Sequence, residues 1–307
     1  MAERGQRGWG SALGLIVLTG FSVVHSALLI FVPLALMLIA LPPHRPWHAI
    51  VGVLGAGLLL WGATGQLTYD FGRGWSLVLA GWFLVMSVVV QRDRFFPRAL
   101  PALAGAVLTT GLFFALNHGS FAQLDTAIRT ALEADIDRMV ALLSRLGRGP
   151  GPGMTTALRQ PIEFEMLLYP AMLAISSVSG LAVAWWAHRR ITAPGREALG
   201  PLREFRFSDG VVWSLIAGLL LLALPVDDVA RRVGSNLLAF TGVLYALRGL
   251  AVALMLLGSP GPLGILATVA VVLVLFPIVM AAAFVIGLTD MWFDLRTRWG
   301  GAPPAGT

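Results

Sequence analysis

Long apolar stretches separated by short polar ones run from Gly10 to Leu288. A helix crossing a bilayer needs about 20 mostly apolar residues. Leu13–Ala40, Ala49–Leu60, Leu77–Val90, Leu100–Leu116, Met166–Ala187, Val211–Leu224, Leu237–Leu257 and Leu263–Leu288 are the candidate span cores. A transmembrane barrel would alternate apolar and polar residues over strands of about 10 residues. These runs do not alternate, so the expected fold is all-α: a polytopic transmembrane helical bundle of about 8 spans. Residues 1–307 are read as a single integral membrane domain. Segment 11–41 is open between one long tilted helix and two short elements broken near Gly20–His25. Pro33 lies inside it, and Pro42-Pro43 ends it because proline lacks the N–H and clashes with the preceding turn.

Residues 119–147 break the pattern. Phe121, Leu124, Ile128, Leu132, Met139, Leu143 and Leu146 recur at mostly helical steps among Asp125, Arg129, Glu133, Asp137, Arg138 and Arg145. This predicts an amphipathic helix, either lying on the membrane surface as a lid or packed as a plain connector. The run Gly147–Gly153 reads as a Gly/Pro hinge, after which Pro161 opens the next helix. Trp47, Trp61, Trp75, Trp185, Trp186, Trp213 and Trp292 fall at or near predicted span ends, as an interfacial aromatic belt does. Small residues beside Ser176, Ser177 and Ser179, ending at Gly180, suit close helix packing better than catalysis.

Composition supports the membrane reading and narrows the chemistry. Apolar residues are 57% of the 307 and charged residues only 12%, against roughly 25% charged in soluble domains. There is no cysteine, so disulfides and thiolate chemistry are excluded. All 22 basic residues are arginine, so no P-loop lysine and no Schiff base is available. The net charge of +6 suits basic loops facing a cytoplasm and anionic lipid. The arginines are spread among loops, which excludes a nucleic-acid-binding face. Loop 188–209, with Arg189, Arg190, Arg196, Arg203 and Arg206, is the expected cytoplasmic loop. Arg92, Arg94 and Arg98 fall on the same side when spans are counted back. Arg296 and Arg298, and the five arginines within 118–162, do not fit that count. A bacterial cytoplasmic (inner) membrane location is expected.

Ionisable groups within apolar spans are costly and therefore candidate functional groups. Arg248 is the sharpest case, near the middle of the run from Asn236 to Leu257. Treating Gly258–Pro262 as a tight turn makes the last two spans antiparallel. Asp290 then stands level with Asn236 and Arg232. Glu163, Glu165, Asp227, Asp228 and Arg231 fall on the same membrane face. This gathers a polar mouth for a small polar solute, with Tyr245 or Trp292 as aromatic walls. Ordinary interfacial ion pairing accounts for the same residues. His25, His44, His48, His118 and His188 lack metal-ligand spacing. No cofactor is expected, and no nucleophile elbow or acid–base pair marks an enzyme.

The strings Gly234-Ser235-Asn236-Leu237-Leu238 and Leu244-Tyr245-Ala246-Leu247-Arg248-Gly249-Leu250-Ala251-Val252 resemble the YybS-like family of bacterial multi-pass membrane proteins. So does the ending from Gly287 to Arg296, with Tyr169-Pro170 and the stretch Leu202–Trp213. The resemblance is specific from about Pro161 to Arg298. The family often has glutamine where this chain has Arg248. It is distantly similar to substrate-binding subunits of energy-coupling-factor transporters. The resemblance implies a membrane-embedded solute-binding or transport subunit without its own ATPase, working with a coupling partner. The alternative is a non-enzymatic membrane scaffold that holds a protein partner.

Overall fold

The computed structural model describes residues 26–42, 46–61, 65–90, 95–146, 159–193, 207–256 and 274–295, together with positions 151, 153, 157, 199 and 205. Among these residues the regular structure is helical. Ala12–Ala198 and Leu199–Thr307 form two compact units. The first contains α1 (Ser26–Ala40), α2 (Pro46–Leu60), α3 (Leu67–Val89), α4 (Phe96–Leu116), α5 (Ser120–Arg145) and α6 (Pro161–Thr192). The second contains a 3-10 turn (Asp209–Val211), α7 (Val212–Ala223), α8 (Asp228–Leu256) and α9 (Phe276–Phe293). Residues 11–25, the Gly147–Gly153 hinge and the Gly258–Pro262 turn lie wholly or largely outside the described residues.

Five described helices, α3, α4, α6, α8 and α9, are long and apolar enough to cross a membrane. The expected spans around 49–60 and 211–224 are helices of 15 and 12 residues. At 1.5 Å per residue these reach only about 18–23 Å, short of the roughly 30 Å hydrocarbon layer. Of the expected Leu13–Ala40 span, α1 covers the last 15 residues, with Pro33 inside the helix.

Two helices extend well beyond their apolar cores. α3 begins at Leu67 and not near Leu77, because its polar first turns are satisfied locally. Arg73 lies 3.6 Å from Asp70 and donates to the Trp61 carbonyl at 2.7 Å. α6 runs 32 residues, about 48 Å, so Glu163 and the Arg189-Arg190 end project past an apolar layer. Prolines at or near the first turns of α2, α4 and α6 give up an N–H that has no partner within the helix.

α6 is the central helix of its unit. Of its most apolar window 67% is buried, against 17% for α9. The core joins Leu28, Leu29 and Val32 of α1, Leu79 and Phe83 of α3, Ala99, Ala102 and Ala106 of α4, and Leu181 and Ala184 of α6. Gly180 bears out the packing role of its small-residue stretch. A Cβ there would stand 2.8 Å from both Cβ and the carbonyl oxygen of Leu29. Outward rows such as Ile50, Val53 and Leu54 of α2 and Leu108, Leu112 and Leu116 of α4 are exposed. They are the rows a bilayer covers.

Trp75 and Trp185 are not belt residues: they are 5% and 3% exposed. Trp75 donates its indole N–H to Ser177 Oγ at 2.8 Å, and Ser177 donates to the Leu173 carbonyl at 2.7 Å. Burial of the indole depends on that acceptor. Ser177→Ala is therefore expected to destabilise the unit by about 1–3 kcal/mol, the cost of a stranded buried donor. Equal unfolding midpoints for variant and wild type would contradict this.

Residues 120–145 are one helix. Leu124, Ile128 and Leu132 bury against Ile162 and Met166 of α6, flanked by Phe71, Phe114 and Tyr169. Past Ile136 the helix leaves that core, and Met139, Leu142 and the following Leu146 are exposed.

Candidate functional site

The polar centre of the C-terminal unit is built on α8. Asp227 caps this helix by accepting from the Ala230 N–H at 2.9 Å, and Asp228 complements the positive end of the helix dipole. Glycines fix what α8 touches. A Cβ on Gly234 would stand 2.8 Å from Leu221 Cβ and 3.0 Å from the Gly218 carbonyl oxygen of α7. A Cβ on Gly249 would stand 1.8 Å from the Ala283 carbonyl oxygen, and one on Gly287 would stand 1.9 Å from that of Tyr245. At the second crossing α8 and α9 touch main chain to main chain, as small residues permit in membrane helices.

This crossing places Arg248 against Asp290. Arg248 donates from Nε to Asp290 Oδ2 at 2.9 Å and from one terminal nitrogen to the Asp290 carbonyl at 3.4 Å. The other terminal nitrogen donates to Asp209 Oδ1 at 3.4 Å. The two carboxylates differ sharply. The Asp290 side chain is 0% exposed and the Asp209 side chain 72%. Asp209 is presented by a 3-10 turn that Ser208 caps, its Oγ accepting from the Gly210 N–H. The guanidinium lies over the Phe207 ring at 5.6 Å. Phe207 meets the fully buried Tyr245 edge-on at 5.2 Å. The Tyr245 hydroxyl donates to the Met291 sulfur at 3.5 Å, and its ring contacts Phe284 at 6.2 Å. The result is one guanidinium between a sealed carboxylate and an accessible one, on an aromatic floor.

Of the residues expected to line a polar mouth, the structure brings together Arg248, Asp290 and Tyr245. Asp290 is not level with Asn236. Twelve residues separate Asn236 from Arg248, about 18 Å along a helix. Register is set by the close crossing at Gly249 and Gly287. Asn236 turns back on its own helix, donating to the Arg232 carbonyl at 2.8 Å, and Arg232 is half-buried. Trp292 is exposed and forms no part of the aromatic floor. Glu163 and the half-buried Glu165 belong to α6 of the other unit. Glu163 accepts both terminal nitrogens of Arg129 on α5, at 2.6 and 3.1 Å. The hydrogen bond first and the charge second raise the pKa of Arg129 above its ordinary value.

Sequence reasoning missed Asp209 and Phe207. They lie in a charged loop whose acids read as partners for its own arginines, and nothing in the local pattern points them at α8.

Nothing matches this chain among curated proteins or among solved structures. A family model does match, over residues 11–291, and that range takes in every described helix except the last residues of α9. Five described helices long and apolar enough to cross a membrane agree with the description of that family, and the chain belongs to it: "Predicted membrane protein (DUF2232)".

Proposed function

We propose that the protein is a membrane-embedded solute-binding or transport subunit without its own ATPase, and that Arg248 takes an anionic, carboxylate-class solute. The supporting observation is the unequal pair of acids on one buried guanidinium. Asp290 holds Arg248 in place and offsets its charge. Asp209, longer in contact and open to solvent, is the partner that a solute anion can replace. That exchange leaves the net charge of the site unchanged, so it avoids the desolvation cost of a new unpaired ion. Phe207 and Tyr245 supply an apolar wall for the rest of the solute. The resemblance to the YybS-like family, and through it to energy-coupling-factor binding subunits, supports the same reading. On this reading the protein works in a bacterial inner membrane with a coupling partner.

The test is untargeted mass spectrometry of small molecules retained by the detergent-purified chain, comparing wild type with Arg248→Gln and Asp209→Asn. Wild type is expected to retain an anionic compound that Arg248→Gln loses. Asp209→Asn removes the competing carboxylate. It should strengthen retention by up to about fivefold, the equivalent of the roughly 1 kcal/mol that an exposed ion pair contributes at most. Unchanged retention in both variants, or no retained anion in any of them, would end the proposal.

A membrane scaffold is the second reading, favoured by the exposed apolar residues Met139, Leu142 and Leu146 at the far end of α5. It requires a partner lost on deletion of 119–147. A purified monomer with no co-purifying protein would count against it.

A further inference from the structure

Asp209 stands at a depth where an acid is costly against lipid, yet its side chain is 72% exposed. Its depth follows first from α8. Between Arg232 and Leu256 the only charged residue is Arg248, and that run rises about 36 Å as a helix. However a hydrocarbon layer of about 30 Å is laid along it, Arg248 falls inside. The Cα–Cβ bond of a helical residue tilts toward the helix N-terminus, which carries the guanidinium farther from the Leu256 end. Asp209 Oδ1 accepts from that guanidinium at 3.4 Å. α7 gives the same depth by a separate route. A Cβ on Gly218 would stand 2.9 Å from Leu238 Cγ and 3.1 Å from the Gly234 carbonyl oxygen of α8. From Gly218 back to Asp209 the chain passes through the start of α7 and the 3-10 turn, a rise of about 15 Å. The same rise along antiparallel α8 ends within one turn of Arg248.

The chain around Asp209 is not α-helical. Phe207 and Ser208 have no regular structure, and residues 209–211 form the 3-10 turn. Backbone of this kind occurs at membrane depth only where protein buries it or where it lines a water-filled cavity. Phe207 meets the first condition: it is buried, as is Phe205, whose ring it contacts at 5.8 Å. Ser208, Asp209 and Gly210 are all exposed, so they meet only the second. The character of the exposed surface then changes within a few residues. Trp213, Ile216, Leu219 and Leu220 of α7 are exposed and apolar, as a lipid-facing row must be. The near end of the apolar run is Leu256, about 12 Å along α8 from Arg248. α7 and its apolar row occupy the longer way to the other end.

We propose that a water-filled vestibule enters the apolar layer from the end of α8 at Leu256 and reaches Ser208, Asp209 and Gly210, so that Arg248 is open to small anions from that face of the membrane alone. The vestibule rests on the depth and exposure of Asp209, and it stands whatever Arg248 binds.

The chain has no cysteine, so single cysteines can be placed and read without background. Ser208→Cys and Gly210→Cys flank Asp209 and leave its carboxylate in place. A Cβ on Gly210 meets only Ser208 Oγ, at an ordinary 3.5 Å. Leu219→Cys, on the exposed row of α7, is the lipid-facing control. Val229→Cys, exposed in the first turn of α8, marks the opposite face. A sulfonated maleimide that does not cross membranes is added to sealed vesicles carrying the full-length protein, before and after they are permeabilised. Labelling in dodecyl sulfate verifies that each thiol is present. Ser208→Cys and Gly210→Cys are expected to react from the face opposite to Val229→Cys, while Leu219→Cys stays unlabelled throughout. Absence of labelling at both 208 and 210, reaction from the Val229 face, or labelling of Leu219→Cys as fast as theirs would overturn the proposal. No solute enters this readout, so its failure is distinct from a failure to find a retained anion.

Discussion

Replacing Arg248 with methionine is expected to cost about 3–5 kcal/mol of stability, the usual result of breaking one side of a buried ion pair. Asp290 has no exposed side-chain surface, so losing the guanidinium strands a carboxylate between two apolar helices. The exposed Asp209 would simply turn to solvent and contributes little to this loss. The double variant Arg248→Met/Asp290→Leu should recover most of the stability, because a packed apolar pair often equals or exceeds a buried ionic one. Reversible unfolding of the three proteins in mixed micelles measures both effects. A loss below about 1 kcal/mol in Arg248→Met would put the pair on the scale of a solvent-screened contact and remove its anchoring role. A double variant no better than the single one would show that the charges position something else.

Gly249→Ala and Gly287→Ala should each be at least as damaging as a severe overpacking substitution, about 3 kcal/mol or more. The added methyl would stand 1.8 or 1.9 Å from a carbonyl oxygen of the facing helix. Backbone cannot step aside as the end of a side chain can, so α8 and α9 must separate along their length. Gly242 is the internal control, since a Cβ there meets nothing within 4 Å. Gly242→Ala should be neutral or slightly stabilising, as alanine favours helix over glycine by roughly 1 kcal/mol. Similar unfolding midpoints for Gly249→Ala and Gly242→Ala would disprove the close crossing.

Sequence pattern revealed the helices more readily than their ends or their register. Apolar runs marked the cores of α3, α4, α6, α8 and α9, because length and hydropathy together are what a bilayer demands. The ends were hidden where polar residues find local partners, as Asp70 and Arg73 do. Arg248 and Asp290 stood out because ionisable groups are rare in such runs. Their pairing did not, since it depends on where two glycines let the backbones meet and on how much chain lies between the helices. Asp209 was invisible for a different reason: an acid in a loop rich in arginine has several equally plausible neighbours. The histidines fared worst. His48 and His188 have no spacing signal and lie on different helices far apart in the chain, and only the fold shows that each is buried, at 1% and 2% exposure. Trp75 and Trp185 matched the interfacial position by sequence. Their burial follows from a serine acceptor in one case and from stacking with His188 in the other.

The contact of α8 and α9 at Gly249 and Gly287 also works as a fulcrum. Where main chains touch, the helices cannot move apart without losing that contact. They can still swing about the point, and displacement grows with distance from it. Arg248 and Asp290 lie one and three residues from the fulcrum, within about 5 Å along the helices, so a scissoring motion barely moves them. The far ends of both helices travel farthest. A change that opens or closes access to the guanidinium therefore enters through the separate 3-10 turn that carries Asp209, while the charge at the hinge stays still.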